Sequence, residues 1–221
     1  MTTQEEDYIK YLYSRLEQNE LIVKITKISD EFNYAKQSVI EMIKKMETRG
    51  YVKYIPYKGV TLTDEGKKIG TRMTRVHRLW EIFLVNELGM KWDEIDDEAH
   101  LLEHATSDLL ETKLYEYLGK PKFCPHGSPI PDEYGEIKHL KYSTLDLVKI
   151  KDIFIVKKVK DEPSLLKYLE KSGIKIGTNM LVQSILEHDG MIIATVDGRE
   201  IFISRESAKL ICGIITKNKK G

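Results

Sequence analysis

The hydrophobic period changes once along this 221-residue chain, and prolines mark the change. Four of the six, Pro121, Pro125, Pro129 and Pro131, fall between Gly119 and Gly135. Before them apolar residues recur at helical spacing. After about residue 142 they come in runs of strand length. Proline removes a backbone donor and fixes φ, so this cluster reads as a connecting loop and a boundary. The chain is therefore expected to be α+β, helical first and strand-rich after.

The helical part contains a second switch. Ile9, Leu12, Tyr13 and Leu16 predict a helix over 4–18, and Ile25, Ile28 and Phe32 a short one over 25–32. Asn33 and Tyr34 make a tight break. Val39, Ile43 and Met46 predict a further helix over 35–49, closed by Gly50. Two strand runs follow, Tyr51–Pro56 and Val60–Leu62, joined at Lys58-Gly59. Helix, short helix, turn, longer helix and hairpin is winged helix-turn-helix order. In that arrangement Lys36, Gln37, Ser38 and Glu41 reach base edges or phosphates, and Lys44, Lys45, Lys53 and Lys58 suit phosphate. A bundle packed for its own sake, or a winged helix used for protein contact, is the alternative.

Net charge is zero, but its distribution is uneven. Residues 24–75 carry twelve Lys/Arg against six Asp/Glu, and residues 92–136 carry three against twelve. A basic stretch suits phosphate and an acidic one suits cations.

Thr63 is a candidate N-cap for a long helix reaching about Leu88, with Ile69, Met73, Val76, Trp80, Phe83 and Leu84 as its stripe. Gly89 stops it, and a single helix is expected over 93–118. His77 and Glu81 lie at i, i+4 on the first of these helices. His100, Glu103 and His104 lie at i, i+3, i+4 on the second, with Asp96 one turn upstream. Two antiparallel helices can turn those faces toward one divalent cation. Imidazole with carboxylate suits manganese, iron, cobalt, nickel or zinc. Structural, hydrogen-bonded histidines are the alternative. His100-Leu101-Leu102-Glu103-His104 also has the His-x-x-Glu-His form of a zinc metalloprotease, in which the Glu is a general base.

Beyond the prolines, strands are expected at Ser143–Val148, Ile153–Val159, Met180–Leu186, Met191–Val196, Glu200–Ser204 and Leu210–Thr216. One helix, Pro163–Lys171, interrupts them, and the set suggests a small barrel. The two cysteines, Cys124 and Cys212, stand in unlike contexts, which favours a reducing compartment and a metal-binding or buried thiol over a disulfide. No apolar run approaches the ~20 residues of a membrane span, and the N-terminus is polar and acidic. A cytoplasmic protein without membrane contact is expected. His126, His139 and His188 read as loop or surface residues.

Three segments in order, Val76-His77-Arg78-Leu79-Trp80-Glu81-Ile82-Phe83-Leu84, Asp97-Glu98-Ala99-His100-Leu101-Leu102-Glu103-His104 and Cys124-Pro125-His126-Gly127-Ser128-Pro129-Ile130-Pro131, closely resemble the diphtheria toxin repressor and manganese transport regulator family, over nearly the whole chain. The resemblance implies a winged-helix DNA-binding domain over 1–72, a helical metal-binding and dimerisation domain over 73–141, and an SH3-like C-terminal domain over 142–221. It implies a homodimer that takes Mn(II) or Fe(II), binds a palindromic operator on double-stranded DNA, and represses metal-uptake genes. It assigns Asp7, His100, Glu103, His104 and Cys124 to a primary metal site, and His77, Glu81, Asp161 and Asp96 to a second. Leu109 and Leu110 are the dimerisation candidates.

Three positions depart from the family pattern. His100 stands where iron-type members have Cys and manganese-type members have Glu, which favours zinc or iron relative to manganese. Lys10 replaces a glutamate that binds manganese in short members. Ile40 replaces a small residue in the recognition helix.

Overall fold

Polar caps and apolar stripes coincide in the helices that open the chain. In the computed structural model, which describes residues 1–132, 135–137 and 140–217, α1 spans Thr3–Glu17. Thr2 begins it: its hydroxyl accepts from the Glu5 N–H, and its own N–H donates to Glu5 Oε2 at 3.0 Å. This reciprocal box satisfies donors that a helix start leaves without partners. Tyr8, Ile9, Leu12 and Tyr13 form the buried face. α2 (Ile25–Phe32) ends at Asn33, whose φ of 52° is left-handed backbone that Asn adopts at low cost. α3 (Lys36–Thr48) buries Val39, Ile43 and Met46.

β1 (Val52–Ile55) and β2 (Gly59–Leu62) pair antiparallel, Val52 opposite Leu62. Val23 adds a third short rung through two 2.9 Å hydrogen bonds with Val60, a pairing with no periodic signal in the sequence. Tyr8 stacks on Phe32 with centroids 4.6 Å apart, inside a core of Ile9, Leu12, Ile28, Val39, Ile43, Met46 and Val60. Thr63 accepts from the Gly66 N–H at 3.1 Å, as an N-cap does, and starts α4 (Asp64–Asn86). At Gly70 a Cβ would stand 2.6 Å from that of Tyr13, so only glycine permits this approach to α1.

The expected single helix over 93–118 is two: α5 (Ile95–Ala105) and α6 (Asp108–Tyr117). Thr106 and Ser107 cause the break by local hydrogen bonding that competes with the helix. The Thr106 hydroxyl donates to the Leu102 carbonyl at 2.7 Å, and Ser107 Oγ accepts from the Leu110 N–H at 3.2 Å. Arg72 donates to the freed Thr106 carbonyl at 2.7 Å.

Two units emerge. One comprises Met1–Arg78, His100–Leu114 and Pro131–Ile137; the other comprises Leu79–Ala99, Tyr115–Ile130 and the chain from Lys138 onward. The second contains a six-stranded antiparallel sheet in the order β3-β8-β4-β5-β6-β7. Its strands are β3 (Ser143–Thr144), β4 (Asp152–Val159), β5 (Asn179–Ile185), β6 (Ile192–Val196), β7 (Arg199–Ile203) and β8 (Ile211–Lys217). Register shifts at Val156/Lys158 and Val182/Ser184 bend it around Phe154, Val156, Met180, Val182 and Ile203. α7 (Pro163–Lys171) packs Leu165, Leu166 and Leu169 into that core, and α8 (Arg205–Ala208) is one turn.

The strand expected over Ser143–Val148 is cut short, because Leu145–Leu147 turns into a 3-10 helix that buries Leu145. His188 lies in an exposed turn, and His139 lies outside the described residues. Among the described residues no helix is long and apolar enough to cross a membrane.

Candidate metal centre

In the first unit, Asp7 of α1 and His100, Glu103 and His104 of α5 each present a ligand atom within 4.8 Å of the others. The i, i+3, i+4 spacing of α5 supplies three of the four from one helical face. Asp7 Oδ1 lies 3.0 Å from His104 Nε2 and 3.6 Å from His100 Nε2. Glu103 Oε1 lies 3.2 Å from His100 Nδ1 and 3.7 Å from His104 Nε2. Asp7 Oδ1 and His104 Nε2 are buried and have no hydrogen-bond partner. Buried polar atoms left so are costly, and a cation between them removes the cost. The residues present fit a divalent cation.

Neighbouring side chains fix these donors. Glu6 Oε2 lies 2.6 Å from His104 Nδ1, leaving Nε2 turned to Asp7. An acidic partner behind a metal-facing imidazole fixes the orientation of the ring. Glu103 is fully buried. Its Oε2 lies 2.6 Å from His77 Nδ1, and the Lys10 ammonium donates to both its oxygens at 2.7 and 2.9 Å. Burial opposes charge on Glu103, but His77 and Lys10 outweigh it and hold the carboxyl below the ordinary carboxylate range.

The second unit holds a different cluster. Glu81 of α4, Cys124 and His126 are all buried, with ligand atoms within 4.8 Å of one another. His126 Nδ1 lies 3.2 Å from Glu81 Oε1 and 3.8 Å from Asp161 Oδ2; its Nε2 is buried without a hydrogen-bond partner. Burial disfavours the imidazolium, yet Glu81, Asp161 and Asp96 together raise its pKa. Trp92 stands edge-on to the ring at 5.4 Å. Carboxylate, thiol and imidazole make a softer donor set than the first cluster.

A tight turn builds this second cluster. The Gly127 N–H donates to the Cys124 carbonyl and the Cys124 N–H to the Ser128 carbonyl, both at 2.9 Å. Gly127 has φ +80°, and a Cβ there would stand 2.0 Å from the Lys157 carbonyl oxygen. The Val159 N–H donates to the His126 carbonyl at 2.9 Å, which pins the turn to β4.

Two expectations change. Cys124, expected beside Asp7, His100, Glu103 and His104, gathers instead with Glu81 and His126, because the turn fastens it to β4. His126, expected to be a surface residue, is 2% exposed and central to that cluster. The C-P-H-G turn, two residues from thiol to imidazole, is the signal that could have found it. Asp96 is exposed in the first turn of α5, and its charge helps to raise the His126 pKa.

The expected DNA-facing residues Lys36, Gln37, Ser38, Glu41, Lys44, Lys45, Lys53 and Lys58 are all exposed. Gln37 Nε2 donates to Glu41 Oε1 at 3.0 Å. Lys45 Nζ lies 3.3 Å from buried Glu5, whose other oxygen accepts from Arg49 at 2.7 Å. α3 has no side-chain cap at Ala35.

Comparisons with known proteins agree across the chain. Residues 1–60 match the iron dependent repressor, N-terminal DNA binding domain; residues 63–132 match the iron dependent repressor, metal binding and dimerisation domain; residues 143–213 match the FeoA domain. An HTH-type transcriptional regulator of Methanocaldococcus jannaschii is 35% identical over 117 residues, 53% of this chain and 94% of that protein. The diphtheria toxin repressor of Corynebacterium efficiens is 25% identical over 213 residues, 87% of this chain and 90% of that one. A manganese-dependent transcriptional repressor solved with manganese is 33% identical, covers 96% of this chain and 99% of its own, and superposes with a TM-score of 0.85. ScaR with bound Zn2+ is 34% identical, covers 97% and 99%, and has a TM-score of 0.75. Winged helix, metal-binding helices and FeoA domain follow one another in the same order in the sequence and in these matches, and the chain belongs to the iron-dependent repressor family, the metal-dependent transcriptional repressors that include the diphtheria toxin repressor.

Proposed function

We propose that this chain is a cytoplasmic repressor that binds a palindromic operator as a homodimer when its first cluster holds Mn(II) or Fe(II), with Zn(II) and Co(II) as further occupants, and so controls metal-uptake genes. Residues 1–72 read DNA, 73–141 sense metal and dimerise, and 142–221 form the SH3-like domain. The observation that carries this reading is that Asp7 comes from α1, inside the winged-helix core, while the other three ligands of its cluster come from α5. When bound, a divalent cation supplies positive charge and preferred ligand directions. Asp7, His100, Glu103 and His104 would hold it, which fixes α1 to α5 and with it the α3 that packs on α1's core face. Glu81, Cys124, His126 and Asp161 would hold a second ion.

Exposed Lys36, Gln37, Ser38 and Glu41 at the open start of α3 suit base edges and phosphates, and Lys44, Lys45, Lys53 and Lys58 suit phosphates. Leu109 and Leu110, 70% and 43% exposed on α6, are apolar enough to be covered by a second copy. Catalysis forms no part of this reading. Glu103, which a His-x-x-Glu-His protease needs as a general base, has both oxygens on the Lys10 ammonium.

Fluorescence anisotropy on DNA from the protein's own promoter region tests the proposal. Chelated protein is expected to bind weakly, and Mn(II) or Fe(II) to tighten binding at fixed salt. Tight, operator-specific binding that ignores chelator would replace the metal switch with a metal-independent DNA-binding protein.

A further inference from the structure

Lys10 stands one turn after Asp7 on α1 and reaches the same cluster. Its ammonium is 2.7 and 2.9 Å from the two oxygens of Glu103 and 2.9 Å from His77 Nδ1. The Glu103 side chain is fully buried, and that of Lys10 is 23% exposed. A buried carboxylate needs a counter-charge, and here the chain supplies its own. Yet Glu103 also offers Oε1 to the gap between His100 and His104.

We propose that Lys10 is an internal competitor for the cation at this cluster. Its ammonium neutralises Glu103 in the metal-free protein, and Glu103 must give up part of that pairing to ligate a divalent ion. Lys10 thereby sets how much metal the cluster requires. Two cations sharing one carboxylate repel each other, and the repulsion is strong where water is excluded. The long lysine stem gives the ammonium a route out: its methylenes stay packed while the head turns to solvent. Ions that bind Glu103 weakly do not displace it, so the same contact discriminates by affinity. The inference rests on reading the cluster as a metal site.

Isothermal titration of the full-length, chelator-stripped protein with Mn(II) tests it, using wild type, Lys10→Met, Lys10→Gln, Lys10→Arg and His104→Ala. His104→Ala is expected to lose one class of sites, which identifies the cluster's own. Lys10→Met and Lys10→Gln are expected to tighten that class by on the order of tenfold, as for a coupled pair of sites. Lys10→Arg, which keeps the charge, is not. In chelator both neutral variants should melt below wild type, and Mn(II) should restore them. Unchanged or weaker Mn(II) binding in the neutral variants overturns the proposal, as does equal tightening in Lys10→Arg. If His104→Ala loses no class of sites, the metal reading of the cluster itself falls, and the proposal with it.

Discussion

The Asp7–His104 and Glu81–His126 clusters are built in opposite ways. The Asp7–His104 cluster takes all its ligands from helices, three of them from one face of α5, and contains an ammonium of its own. The Glu81–His126 cluster takes one ligand from a helix and two from a four-residue turn, and it includes a thiol. Helical ligands are placed by backbone period, so a small movement between helices opens or closes the whole set. Turn ligands are placed by local hydrogen bonds and one close backbone contact, so the set stands or falls with the turn. The first arrangement suits a switch and the second a retained ion.

Six substitutions sharpen or break that contrast. The largest effect is expected for His126→Ala, which should weaken the second cluster's ion by roughly 100-fold or more, since changes merely behind a ligand already reach 10–100-fold. Cobalt titration checks it, because only this cluster offers sulfur. Cys124→Ser should abolish the thiolate charge-transfer band, and His104→Ala should leave the band in place. A band that survives Cys124→Ser would erase the distinction.

Next comes His77→Ala. Its ring touches Glu103 but sits outside the four-ligand group. A tenfold to 100-fold loss is expected in Mn(II) binding of the first cluster, with the cobalt band unmoved. Gly127→Ala forces a side chain into left-handed backbone against the Lys157 carbonyl. It should destabilise the protein by about 1–3 kcal/mol in urea unfolding and weaken the thiolate band. The smallest effect is Asp161→Asn: its carboxylate is 39% exposed and 3.8 Å from His126, so a loss of only several-fold is expected in cobalt affinity.

The same contrast explains what was legible in the sequence. The winged-helix order and the α5 ligand face follow from period alone, because helical spacing converts sequence distance into direction. Lys10 stood out by residue type, but its contact with Glu103 and His77 depends on how α1 meets α4 and α5. Cys124 and His126 carry no period. Their burial depends on Gly127 and on a hydrogen bond to Val159, a partner 33 residues downstream of His126. The break between α5 and α6 was hidden because its cause, hydroxyls at Thr106 and Ser107 competing with the backbone, sits inside an otherwise continuous apolar pattern. Val23 pairs with Val60 as a single residue, too short for any alternation to form.

Glu5, Glu6 and Asp7 are three consecutive acids near the start of α1. Neighbouring helical positions point about 100° apart, so Glu5 turns to Lys45 and Arg49, while Glu6 and Asp7 approach opposite nitrogens of the His104 ring. On the proposed function, the lever arm between the sensing and reading ends is about 3 Å of helix rise. An arm so short relays displacement without magnifying it. On that reading, ion preference and operator geometry share a single turn, and neither can be retuned there without disturbing the other.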